Sequence, residues 1–317
     1  MRTLVISIDA ELGWGFHDLA DPPADRLENG RSGWLTLIDL LDTYNLPATW
    51  AIVGHLFLSD CDGFHSQHPL GSEWFEREHS SWITRPDLRF GRDLIDDIVA
   101  SPVEHEIGCH TFSHVEFGAD YTTQDVARAE VIESIRAAQS YETPFESFVF
   151  PRNNIGHRDI LAEWGFSCYR GTQPRSYGLS RAGRIAEKIV HSTISAPPVV
   201  TPTIDEYGLV NIPASLFLFT IDNRPRDVAN AIWNDPIVTQ VDRGIKNLIE
   251  GEEGVFHIWL HPNNIRDQRD VDRMDAIFDL ISTARSKHEL TVRTMGQVAA
   301  EYHTQNNPQP PTQVDRR

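Results

Sequence analysis

Residue types able to do chemistry gather in one short stretch, Glu106-Ile107-Gly108-Cys109-His110-Thr111-Phe112-Ser113-His114, where two histidines stand four residues apart just after an apolar, strand-like run. If the chain turns helical after Gly108, that spacing puts both imidazoles on one face, where they can grip one metal ion. Two ring nitrogens are half a site. A catalytic metal usually takes a third protein ligand, often a carboxylate, and leaves a position for water. The chain holds 14 histidines, so a chance pair at this spacing is expected and the motif needs support from elsewhere. Thr3-Leu4-Val5-Ile6-Ser7-Ile8, a run suited to a central strand, ends in Asp9-Ala10-Glu11. Side chains alternate along a strand, so Asp9 and Glu11 project to the same side. Two adjacent carboxylates are costly unless a cation or proton sits between them; a solvated turn is the plain alternative.

The elements that must position these groups alternate. A helix is expected over residues 32–44, with Leu35, Leu37, Ile38, Leu40 and Leu41 as its apolar face. Strand 48–53 follows, and residues 57–90, with Trp74, Phe75, Trp82, His65, His68 and His79, read as a long loop that shapes a groove or simply packs down. Then come helix 93–100, the two-histidine strand, a helix starting near Thr122-Thr123 and running to about Ser140, and strand 148–150. The rhythm continues with helix 157–164, strand 166–169, strand 209–213, helix 238–250, strand 255–260, helix 271–287, strand 290–293 and helix 296–303. About seven or eight strands alternating with helices argue for a parallel sheet closed into a barrel, with chemistry at the carboxyl ends of the strands. Asp9, Glu11, His110, His114, Arg152 and His261 all fall at such ends. One catalytic barrel over residues 1–304 and a disordered tail over 305–317, rich in Asn, Gln and Pro, complete the expectation.

Composition removes other classes. The 317 residues carry a formal charge of −18, without the basic stripe that nucleic-acid binding needs. Only Lys188, Lys246 and Lys287 are lysines, a bias that fits a high-salt cytoplasm and equally an arginine-favouring base composition. No apolar run approaches the roughly 18 residues of a membrane span, and the first residues lack a secretory signal, so a cytoplasmic location is expected. Cys61, Cys109 and Cys168 have no CxxC spacing and read as small buried hydrophobes.

With these motifs in place, the sequence resembles the polysaccharide deacetylases of the NodB-homology type, carbohydrate esterase family 4, over roughly residues 3–303. Ser7-Ile8-Asp9 stands where the family has Thr-Phe-Asp-Asp. His110-Thr111-Phe112-Ser113-His114 matches the family's His-Thr/Ser-x-x-His, with the preceding Glu-Ile-Gly. Phe150-Pro151-Arg152-Asn153 is similar to the family's arginine motif in variant form, and Trp259-Leu260-His261-Pro262 to its closing Leu-His. The resemblance implies an α/β fold, a distorted (β/α)7 barrel, and metal-dependent removal of acetyl groups from N-acetylated sugars.

Carried over by position, the resemblance makes His110 and His114 metal ligands and Asp9 the general base toward the attacking water. Arg152 would orient Asp9 and keep it ionised, His261 would protonate the leaving amine, and Leu260 would line the acetyl pocket. Ala10 stands where the family has its second Asp, normally the third ligand, and Glu11 is the replacement. An acidic partner for His261 is less evident, with Asp222 the candidate. The implied cofactor is one divalent ion, Zn²⁺, with Co²⁺ or another divalent metal as alternatives. The expected substrate is an intracellular N-acetylated sugar or oligosaccharide. A hydrolase of small cyclic amides or ureides is the second reading, and a glycan-binding barrel without catalysis the third.

Overall fold

The computed structural model of the chain describes residues 2–141, 144–174, 196–219, 235–251 and 253–306. Its central strand, β1 (Arg2–Ala10), is buried from Thr3 onward. Leu4, Ile6, Ile8 and Ala10 join a large apolar cluster with Trp34, Leu37 and Leu41 of the helix Ala24–Tyr44. Val5 belongs to a smaller cluster with Ala51, Val149, Cys168, Val210 and Val255, closed by Met295 and Val298 of the final helix, Met295–Asn306. Because alternate side chains point to opposite faces, the first set packs under the helical shell and the second fills the barrel. Strands buried on both faces read as nearly continuous apolar runs, as here.

The strands are β2 (Thr49–Ile52), β3 (Glu106–Cys109), β4 (Ser147–Phe148), β5 (Cys168–Gly171), β6 (Thr203–Ile204), β7 (Val210–Pro213), β8 (Leu216–Phe217), β9 (Gly254–Leu260) and β10 (Thr291–Arg293). Parallel pairing runs β9-β1-β2-β3-β4-β5-β7, with β6 antiparallel on β7. The ring is completed by a single run of chain. Val210–Pro213 pairs with β5, and after Ala214-Ser215 the same run pairs with β9 through Leu216 and Phe217. Ser215 donates its N–H to His257 O at 2.7 Å and Leu218 to Trp259 O at 3.0 Å. β10 lies beside only the first half of β1, at Thr3–Val5, while β2 takes Ser7–Ala10. The distortion of the expected barrel resides in these two strand sharings.

The first helix begins at Ala24 rather than Ser32. Its opening turns, Ala24 to Arg31, are mostly polar and carry little apolar period, but Pro23 is compatible with a helix start. Thr123 caps its helix by accepting from Val126 N, where a helix start is expected. Residues 57–90 are irregular with only single-turn helices, Gly71–Trp74, Glu76–His79 and Pro86–Arg89. The last helix extends through Gln305 and Asn306, two residues into the expected tail; residues 307–317 lie outside the described ones. Among the described residues, no helix is long and apolar enough to cross a membrane.

Candidate active site

His110 and His114 meet, but not on a helix. The chain after β3 is irregular, with Thr111 at φ 59° and His114 at φ 63°. Two left-handed residues fold the loop so tightly that the imidazole centroids are 5.2 Å apart. Such backbone is costly for residues other than Gly and concentrates at functional sites. The loop is held from below: Gly54 and His55 donate their N–H groups to Thr111 O and Phe112 O at 2.7 and 2.9 Å. Ser113 donates its backbone N–H and its hydroxyl to the buried Glu130 carboxylate.

His110 Nδ1 lies 2.7 Å from Val149 O. A carbonyl only accepts, so Nδ1 carries the proton and Nε2 of neutral His110 presents a lone pair, the tautomer that binds metal. That Nε2 faces Glu11 Oε1 at 3.2 Å, and His114 Nε2 faces the same oxygen at 3.1 Å. A lone pair set against a carboxylate needs a cation or a proton between them. Two imidazoles and one carboxylate on a single point are a donor set that fits Zn²⁺ or a similar divalent ion.

Glu11 reaches this point because of where Ala10 goes. Ala10 packs in the shell cluster with Ile6 and Ile8, where a carboxylate would sit in apolar surroundings. Glu11, just beyond the strand, turns back toward the site. Gly15 permits this, since a Cβ at that position would stand 2.0 Å from Glu11 Oε2. Burial works to raise the Glu11 carboxyl, but His261, His114 and His110 outweigh it and hold its pKa well below the ordinary 4.5.

Asp9 does face the same pocket, but its partner is not Arg152. Arg170, wholly buried on β5, grips Asp9 with both terminal nitrogens at 2.5 and 2.7 Å, touches Ser7 Oγ at 3.2 Å and lies over the Trp259 ring at 4.2 Å. Burial would raise the Asp9 carboxyl; the Arg170 guanidinium, with His110 and His261 adding, brings it below the ordinary value. Arg152, in a left-handed turn at φ 53°, points instead to the mouth and bridges Asp18 and Glu116 at 2.7 and 2.8 Å. Its neighbour Asn153 serves the site by accepting from Arg170 at 3.1 Å. The strand alternation could have found Arg170: Cys168 faces the barrel interior, so the residue two further on does too.

His261 follows β9 with its side chain one-fifth exposed, and its Nε2 lies 3.5 Å from Glu11 Oε1 and 3.7 Å from Asp9 Oδ2. Asn264 Oδ1 accepts from the His261 backbone N–H at 3.0 Å and stands 3.3 Å from Nδ1. Thus an amide within the same loop orients the ring; Asp222 lies outside the described residues. Burial pulls the His261 pKa down, but Glu11 and then Asp9 carry it above 6.5. Leu260, expected to line an acetyl pocket, is wholly buried in the shell cluster with Ile8. The preceding Trp259 is the partly exposed side chain beside His261, with ring centroids 5.5 Å apart. Trp74, named in the sequence only as part of a loop that shapes a groove or packs down, reaches the site: its Nε1 donates to Ser113 and its ring meets His17 at 4.7 Å.

No family model matches this chain, and neither does any curated protein. Solved structures do. A protein described as a polysaccharide deacetylase from Mycobacterium smegmatis is 16% identical, with 96% of this chain and 91% of that one covered, at a TM-score of 0.59. One so described from Pseudomonas aeruginosa PAO1 gives 16%, 98% and 93%, also at 0.59. A Puue allantoinase gives 15%, 98% and 92% at the same TM-score. The fold is therefore that of the polysaccharide deacetylases, the barrel expected from the strand count.

Proposed function

We propose that this chain, folded as polysaccharide deacetylases are, is a metal-dependent hydrolase that cleaves the amide of an N-acetylated sugar. The observation that carries the reading is the convergence of His110 and His114 on Glu11, with Asp9 and His261 beside that point and outside the two-histidine pair. Glu11, His110 and His114 would hold a divalent ion. When bound, it polarises the amide carbonyl and acidifies water, so that a weakly basic carboxylate suffices to take the proton.

Asp9 is the general base. Arg170 keeps it anionic and fixes its plane, while the buried Ser7 and His257 behind them, 2.9 Å apart, exclude water from that side. His257 stays neutral there: burial, with Arg170 nearby, pushes its pKa down to about 3. His261, protonated at Nε2 and steered by Asn264, delivers its proton to the departing amine. The partly exposed faces of Trp259 and Trp74 suit the apolar face of a sugar ring.

A cyclic ureide is the second reading, favoured by the equal structural likeness to an allantoinase. Purified protein loaded with Zn²⁺ should release acetate from members of a panel of N-acetylated mono- and oligosaccharides, and chelation should abolish it. Ring opening of a cyclic ureide without acetate release selects the second reading. Fully loaded protein that cleaves neither class refutes the hydrolase.

A further inference from the structure

A second group of ligating side chains lies in the 54–90 segment, outside the proposed active site. His55, Cys61, His65 and Glu78 bring one donor atom each to within 4.8 Å of one another. His55 is wholly buried, Glu78 is 1% exposed, and the side chain of His65 is 12% exposed. The contacts are His55 Nε2 to Glu78 Oε1 at 2.9 Å, His65 Nε2 to Glu78 Oε2 at 2.8 Å and His65 Nε2 to Cys61 Sγ at 3.2 Å. A Cys-His-Glu relay would use both ring nitrogens of its histidine. Here a single nitrogen of His65 faces both thiol and carboxylate, and it has one proton at most to share.

His55 makes the same point independently. Its Nδ1 lies 3.1 Å from Arg89 O, so Nδ1 donates and a neutral ring turns the Nε2 lone pair on Glu78. That buried Nε2 has no geometrically sound hydrogen bond. A metal ion removes both conflicts. Around zinc, tetrahedral ligand–ligand edges are roughly 3.3–3.8 Å from the usual bond lengths, and the contacts here fall short of that by well under an ångström. The surroundings are those of a held site. Arg89 fixes the Glu78 carboxylate through Nε and one terminal nitrogen, at 3.2 and 2.8 Å. Gly63 N–H donates to Cys61 Sγ at 3.3 Å. Gly63 and His65 are left-handed, at φ 82° and 43°, which turns the Cys61–His65 hairpin inward.

We infer that His55, Cys61, His65 and Glu78 form a closed, four-ligand structural site for a zinc ion. It fastens the 54–90 segment beneath the two-histidine loop, since His55 N–H binds Phe112 O and the His55 ring lies 4.4 Å from that of Trp14. Elemental analysis of protein purified without chelator should give two zinc ions per chain, and Cys61→Ser should give one. Cobalt-substituted wild type should show a near-ultraviolet thiolate-to-cobalt charge-transfer band, lost in Cys61→Ser and kept in Glu11→Ala. The first site has no thiolate, so this band reports the second alone. A cobalt-substituted wild type with no thiolate band would overturn the assignment, whatever the zinc count and whether or not any variant folds.

Discussion

Two clusters in this molecule are made from nearly the same parts, two histidines and a glutamate each, yet their surroundings differ in kind. At the strand ends, one oxygen of Glu11 faces three histidine nitrogens at 3.1, 3.2 and 3.5 Å, and Asp9 and His261 flank it where the proposed base and acid would stand. In the 54–90 segment, Glu78 is occupied by Arg89, and Cys61 brings a fourth ligand. A catalytic metal keeps a position for water; a structural one is closed by protein. The two histidines and the glutamate alone would not distinguish the two. The difference lies in the remaining groups: Asp9 and His261 in one place, a guanidinium clamp and Cys61 in the other.

The sharpest way to break this contrast is to remove Glu11. Glu11→Ala should lose the strand-end metal and with it all measurable turnover, while the thiolate-bound ion stays. Asp9→Asn keeps the carboxylate's shape and should retain both metals, with kcat reduced by roughly 10²- to 10⁴-fold, the span of general acid–base catalysis. Metal titration into both apo-variants reads the two roles separately from activity. If Asp9→Asn loses the ion and Glu11→Ala keeps it, base and ligand are exchanged.

The next effect concerns the acid. His261→Ala should lower kcat within the same range, roughly 10²- to 10⁴-fold, and leave the metal content intact. The pH profile adds a direction. In the proposed mechanism His261 acts when protonated, and Glu11 and Asp9 hold its pKa above 6.5, so activity should fall as pH rises through that raised value. The variant should lack this alkaline limb. Loss of metal from His261→Ala would make the histidine a ligand and place the strand-end cluster with the closed one.

The positions of these residues were not equally legible in the sequence. The βα rhythm was, because each barrel strand is buried on both faces and the helices carry apolar stripes. Asp9 and Glu11 were legible through the two-residue strand period, which sends Ala10 to the shell. Arg170 was not: the strand was expected to end at Tyr169, and an arginine motif at Arg152 offered an attractive alternative. Only the backbone of Phe150 to Asn153, which turns left-handed at Arg152 and Asn153, sends Arg152 to Asp18 and Glu116. Cys61 was read as a small hydrophobe because the cysteines show no CxxC spacing; His65 stands four residues on, but His55 and Glu78 join the pair only through irregular chain. In irregular chain, proximity is set by turns such as Gly63 and His65, which no periodic reading captures.

The smallest expected effect uses a histidine outside both clusters as the reference for burial alone. Within the segment cluster without its metal, burial lowers the His65 pKa, but Cys61 and Glu78 outweigh it and raise it to about 9. His105, whose side chain is fully buried with Asp42 no nearer than 3.8 Å, goes the other way. Burial pushes it down to about 4 from the ordinary 6.5, so it remains neutral in the fold, where Nδ1 accepts from Ala48 N–H at 3.2 Å. Between pH 6.5 and about 4, the unfolded chain therefore binds a proton at this position that the folded chain does not. Stability is lost as pH falls through that window, by about 1.4 kcal/mol per pH unit for this one group. His105→Asn replaces the accepting nitrogen with Oδ1 and cannot titrate. Urea unfolding at pH 7 and pH 5, at fixed zinc, should show wild type losing roughly 2 kcal/mol more than the variant over that interval. Both clusters titrate identically in the two proteins, so their contribution cancels in the difference. An equal loss in both would mean that His105 is protonated in the fold, and that Asp42 does at 3.8 Å what Glu78 does for His65 at 2.8 Å.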